Sequence, residues 1–102
     1  MIRHIVLHRF RADVPDTERA AIYADLAALK SVVPGYLTIS SGPNISPEGL
    51  HQGYTDAFAI DFVDAAARDA YLVHPAHKAA GSRLVAALEG ERNGLIVFDI
   101  EV

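Results

Sequence analysis

The chain has 102 residues, 51% of them hydrophobic, no cysteine and a formal net charge of −4. That length makes one domain over residues 1–102 with a single modest core, and the hydrophobic content excludes a disordered chain. The lack of cysteine excludes disulfides, thiolate metal sites and a cysteine nucleophile, and the negative charge argues against nucleic-acid binding, which needs a basic face.

No apolar run approaches the roughly 20 residues of a membrane span, so no membrane partner is expected. The early apolar stretch is interrupted by His4, His8, Arg9 and Arg11 too soon for a signal peptide. A cytoplasmic location is the expectation.

Residues 2–10 predict a strand. Period two puts His4, Val6, His8 and Phe10 on one face, with Ile5 and Leu7 on the other. Pro15-Asp16-Thr17 starts a helix, capped by Asp16 or Thr17, with Glu18 at the positive end of its dipole. Ile22, Leu26, Leu29 and Val33 form its buried stripe, and Pro34-Gly35 stops it. Tyr36 to Ser41 is a second strand, ended or bulged by Gly42-Pro43-Asn44. Residues 45–53 are a loop rich in turn formers, suited to a lid or a dimer contact, with His51 in solvent. Tyr54 to Phe62 is a third strand, apolar on one face apart from Asp56.

Asp64 caps a helix over Ala65 to Val73. His74 precedes a proline and is biased out of helical geometry. Pro75 fits the first position of a second helical piece, with His74 as its cap. Leu84, Val85 and Leu88 give that piece an apolar face, and Gly90 stops it. Leu95 to Val102 is the last strand, with Ile96, Phe98 and Ile100 alternating against Leu95, Val97 and Asp99.

The order β-α-β-β-α-β predicts an α+β, ferredoxin-like fold: a four-stranded antiparallel sheet with both helices on one face. The strands carry apolar side chains on both faces. The uncovered face would be a large apolar patch, which monomers rarely expose. A homodimer packing sheet against sheet is therefore expected.

The segment Tyr71-Leu72-Val73-His74-Pro75-Ala76-His77 gathers two histidines and a tyrosine around a helix break. A neutral imidazole can take an acidic proton beside a carbonyl, and a phenol can orient it or hold an oxyanion. Tyr71 and His77 are thus either a catalytic pair, with His77 as base, or a hydrogen-bonded pair that stabilises the break. His74 reads as a structural cap. His4 and His8 share a face that looks toward the helices. If the first and third strands pair centre to centre, His8 lies near Asp56, which would fix its tautomer and favour its protonated form. No metal is expected, because the histidine spacing matches no recognised signature. Tyr23, Tyr36 and Tyr54 read as core or interface aromatics. Lys30, Arg68, Lys78 and Arg83 read as solvated charges.

The chain resembles the stress-responsive A/B barrel (Dabb) domain family of the dimeric α/β barrel superfamily. The matching segments are Ile2-Arg3-His4-Ile5-Val6-Leu7, Asn44-Ile45-Ser46-Pro47-Glu48-Gly49-Leu50, Gly53-Tyr54-Thr55, the Tyr71 to His77 segment and Val97-Phe98-Asp99. The resemblance implies a homodimer whose two sheets close into a barrel, with helices outside. One member of the family closes a linear polyketide by aldol condensation without metal or cofactor. Its catalytic tyrosine and histidine match Tyr71 and His77, and a further active-site histidine matches His4. Asp56 and Leu26 stand where that member has histidine and tyrosine, and Lys78-Ala79-Ala80-Gly81 lacks the bulky apolar residues of many relatives. A different ligand, or none, is implied.

Two functional expectations follow. One is a homodimeric domain with a small-molecule pocket between sheet and helices and no assigned reaction. The other is an enzyme needing no cofactor, acting on a carbonyl-bearing, partly apolar substrate, with His77 as base and Tyr71 and His4 assisting. Val6, His8, Asp56, Phe58 and His74 complete the expected ligand contacts.

Overall fold

Alternating apolar residues in four segments and helical spacing in three others produce one sheet with helices on a single side. The structure, a computed structural model, describes all 102 residues. Strands β1 (Ile2–His8), β2 (Tyr36–Pro43), β3 (Asp56–Phe62) and β4 (Leu95–Glu101) form an antiparallel sheet in the order β2-β3-β1-β4. Helix α1 (Asp16–Ala28) follows β1, and α2 (Ala65–Val73) and α3 (Pro75–Ala86) lie between β3 and β4. This is the expected α+β, ferredoxin-like arrangement.

Several boundaries differ from the sequence reading. The first strand ends at His8, and Phe10 instead makes an isolated bridge to Leu88. Neither Asp16 nor Thr17 caps α1, because Pro15 holds the N-cap position and no side chain bonds there. The α1 stripe continues into a single 3₁₀ turn, Leu29–Ser31, and Leu29 and Val33 are buried as expected. The second strand runs on to Pro43 with an irregularity near its start, and the third begins only at Asp56.

Ile2, Val6, Phe58, Ile60 and Phe62 from the sheet meet Ile22, Leu26, Tyr71 and Leu84 from the helices in one core. Two local devices frame it. Gly35, at φ +87°, makes the turn after α1, where a Cβ would stand 2.7 Å from Ala67 and 2.8 Å from Val63. Arg83 is exposed, as expected of a solvated charge, and forks onto Glu18 and Asp25 at 2.6 and 2.9 Å, tying α3 to α1 at the surface.

The other face of the sheet has no cover. Ile5, Leu7, Ile96, Phe98 and Ile100 come together there through the β1–β4 register, and Phe98 is 62% exposed. One cross-strand ion pair, Arg3–Asp61 at 2.8 Å, borders this apolar centre.

Candidate functional site

The site is built by the break between α2 and α3. In an unbroken helix the amide of residue 76 would bond the Leu72 carbonyl. Pro75 interrupts that ladder because it has no amide hydrogen. The Ala76 amide donates to His74 Nδ1 at 3.0 Å, so His74 is the side-chain cap of α3. The Leu72 carbonyl is left free, and His77 Nδ1 bonds it at 3.2 Å. A carbonyl only accepts, so Nδ1 carries the hydrogen and Nε2 of the neutral ring keeps a lone pair. Gly81 stands before that nitrogen. Even a Cβ there would lie 3.9 Å from Nε2, so the space stays open.

Tyr71 is 1% exposed. Its ring packs on Phe62 and Tyr36, with ring-centre distances of 5.0 and 6.0 Å, and lies between two imidazoles, His77 at 4.2 Å and His4 at 5.8 Å. The expected hydrogen bond between Tyr71 and His77 is not formed: the contact is ring to ring, because His77 spends Nδ1 on Leu72. Burial pushes the Tyr71 phenol well above its usual range, with Tyr36 adding to the shift. The hydroxyl therefore stays a donor at neutral pH. Burial holds the His77 imidazole below the usual histidine range against the bond to Leu72, and nearby His4, His74 and Lys78 push it the same way.

His4 is anchored similarly. Its Nδ1 donates to Asp99 Oδ1 at 2.7 Å, and Asp99 Oδ2 accepts from Arg68 at 2.7 Å. Burial would raise the Asp99 carboxyl, but hydrogen bonds from Arg68 and His4 outweigh it and hold it below the usual range. A charged Asp99 fixes a hydrogen on His4 Nδ1 and leaves Nε2 facing the cleft. Sequence reasoning missed this relay. Asp99 was visible only as one polar residue on an inward strand face, and Arg68, read as solvated, reaches it from α2.

His8 Nδ1 is the one buried side-chain polar atom without a partner. Tyr71 Oη and His4 Nε2 also make no bond within the chain, so they must reach open space. That space is a cleft of about 1030 Å³ between the β1–β4 half of the sheet and α3. His4, Tyr71 and His77 sit together in its wall. Val6, Leu26, Phe58, Leu84, Val85, Leu95 and Val97 make it largely apolar, and Lys78, Ser82, Glu91 and Arg92 supply polar edges. Val97 lines the cleft together with Gly81 and Ser82 of α3, yet is 55% exposed.

Of the expected contacts, Val6 and Phe58 line the cleft, whereas His8, Asp56 and His74 do not. His74 is spent on its cap. His8 and Asp56 are cross-strand neighbours, as the register argument required, but they do not bond. His8 Nε2 pairs with Tyr23 Oη at 2.7 Å, and Asp56 accepts from Thr55 at 2.8 Å. The expectation of a protonated His8 fails for the same reason: desolvation lowers its pKa, and the attraction of Asp56 is the smaller effect. No three His, Asp or Glu side chains converge as metal ligands, and no helix is long and apolar enough to cross a membrane.

Comparison with known proteins agrees with this fold. A solved structure of a dimeric ferredoxin-like protein from a Jannaschia species is 34% identical, with a TM-score of 0.90, covering 99% of this chain and 98% of that one. A stress-response A/B barrel domain-containing protein of Arabidopsis thaliana is 30% identical over 74% of this chain and 70% of its own. Olivetolic acid cyclase of Cannabis sativa is 19% identical over 78% of this chain and 79% of its own. The family model for the stress responsive A/B barrel domain matches residues 2–102, and the chain belongs to that family.

Proposed function

We propose that this chain is a cytoplasmic homodimer that binds a small, partly apolar carbonyl compound in the cleft, and that His77 removes a proton beside the carbonyl. The observation that carries the reading is the grouping of three free polar atoms in one apolar wall: His77 Nε2, His4 Nε2 and Tyr71 Oη. Each imidazole is anchored through Nδ1 and turns Nε2 to the cleft, and on the neutral His77 ring that nitrogen offers a lone pair. Tyr71, a neutral donor between them, suits the developing enolate oxygen. A neutral base held in place assists such a step by about 10²–10⁴-fold.

The chemistry is economical. His77 Nε2 takes the α-proton, the C–H electron pair becomes the C=C bond of the enolate, the carbonyl π pair moves onto oxygen, and Tyr71 donates a hydrogen bond to that oxygen. The enolate can then attack a second carbonyl within the same molecule, and the imidazolium returns the proton. The relationship to a cyclase supports ring closure as one outcome. The dimeric description of a similar structure and the bare apolar sheet face support the homodimer. A panel of β-polyketones, assayed with wild type and with His77→Ala, tests the reading. A cyclisation rate above background that is lost in the variant supports it. Equal background rates in both remove the catalytic part.

A further inference from the structure

The cleft is uneven in charge. The chain has nine lysines and arginines. Arg3, Arg11, Arg68 and Arg83 are in ion pairs with carboxylates. Arg9 and Arg19 are held by backbone carbonyls and lie over the rings of Tyr54 and Phe10. Of the rest, only Lys78 and Arg92 line the cleft, and neither has a partner within the chain. They stand at opposite ends. The row Lys78, Ser82, Ala86 runs along α3 for about 12 Å at 1.5 Å per residue, and Arg92 follows beyond α3 beside Glu91.

The two ends differ. At the far end the Glu91 carboxylate sits next to Arg92 and opposes any anion. At the near end no carboxylate lines the cleft. Lys78 lies in the first turn of α3, where the helix dipole adds positive potential. In the same cleft the Tyr71 hydroxyl, on a side chain 1% exposed, has no partner within the chain.

We propose that the ligand carries a carboxylate close to its reactive carbon and that Lys78 binds it. This rests on the reading above of a carbonyl ligand and names its class: a keto acid, its carboxylate at Lys78, its carbonyl at Tyr71 and its apolar chain running along α3 between Leu84, Val85 and Val97. A single flexible ammonium suits one compact monoanion, whereas a phosphate would favour the bidentate fork of an arginine. The field of Lys78 also disfavours protonation of His77, which keeps the base free.

The test is a binding titration followed by NMR at pH 7 with 4-oxodecanoate and its methyl ester, in which a methyl group replaces the negative charge. Wild type should bind the acid at least about tenfold tighter than the ester, the ratio one charge-assisted hydrogen bond supplies. Lys78→Met should abolish that preference and leave the ester unaffected, and Lys78→Arg should restore part of it. Equal affinities in wild type, failure of both compounds to bind, or a preference that survives Lys78→Met and disappears in Arg92→Met each overturn the proposal. The outcomes separate the two claims. A Lys78-dependent preference without His77-dependent chemistry leaves this proposal standing and removes the catalytic reading. Chemistry on acid and ester alike, with equal affinity, does the reverse.

Discussion

His77 holds the Leu72 carbonyl through Nδ1 at 3.2 Å, and that carbonyl is free only because Pro75 breaks the helix between them. The break thus sets the tautomer of the candidate base. Its burial then sets its charge, and the two together leave Nε2 available near neutral pH.

A pH dependence follows. The His77 pKa lies below the ordinary histidine value of about 6.5, because burial disfavours the imidazolium. The base is therefore competent at pH 7. Its activity should fall as pH drops through a midpoint below about 6.5. A pH profile of kcat/KM on the best substrate checks this. An acid limb centred at or above 6.5 would assign the titration to another group.

Asp99 and Arg68 should matter without touching the ligand. Asp99→Asn removes the charge that fixes the His4 tautomer, and outer partners of this kind are worth about 10–100-fold in activity. Arg68→Leu should have a smaller effect in the same direction, because Asp99 keeps its bond to His4. Kinetics of both variants, with ligand affinity measured in parallel, separate a loss of kcat from a loss of binding.

Stability should depend on pH in two windows. The folded state holds His8 below its unfolded pKa, so the unfolded chain binds the extra proton first. Stability then falls as pH drops below about 6.5 and levels off beneath the folded pKa. The carboxylates of Glu18 and Asp61 are held below their usual range by hydrogen bonds from Arg83 and Arg3. Their contribution is complete above about pH 4.5 and is lost as pH falls through their folded pKa. Thermal melts from pH 8 to pH 3 should show both declines. His77, also held low by burial, adds to the upper decline, so His8→Gln should reduce that decline and leave the lower one unchanged.

Gly35→Ala tests the turn that carries the chain from α1 into β2. The backbone is left-handed at φ +87°, and a Cβ would meet Ala67 and Val63 inside contact distance. A loss of more than about 1 kcal/mol is expected, which lowers the melting temperature by about 4–8 °C for each kcal/mol in a domain of this size. An unchanged melt would mean that the turn relaxes.

The uncovered sheet face predicts its own result. Phe98→Arg places a charge at the centre of the apolar patch made with Ile5, Leu7, Ile96 and Ile100. Light scattering should give a dimer for wild type and a monomer for the variant at micromolar concentration. A wild-type monomer would contradict the dimer outright.

The sheet was legible because strand faces obey period two: His4, Val6 and His8 point inward as alternation required, and the β1–β3 register did pair His8 with Asp56. What the rings then bond was not legible. Tyr23 wins His8 because of the rotation of α1, which no local pattern encodes. Arg68 and Asp99 are 31 residues apart and meet only once α2 packs on the sheet. The cap at His74 was legible because proline chemistry is local. The same local chemistry suggested a bond between Tyr71 and His77, but it could not anticipate that the Leu72 carbonyl would compete for His77.

The central claim is that His77 and Tyr71 labilise a proton beside a carbonyl, and deuterium exchange at that carbon measures it most directly. A cleft-binding ketone such as 4-oxodecanoate is incubated in D₂O at pH 7 with wild type, His77→Gln and Tyr71→Phe, and loss of the α-proton signal is followed by NMR. Exchange accelerated by wild type, abolished in His77→Gln and slowed in Tyr71→Phe is the predicted result. Exchange at the buffer rate in all three, with binding intact, would contradict it.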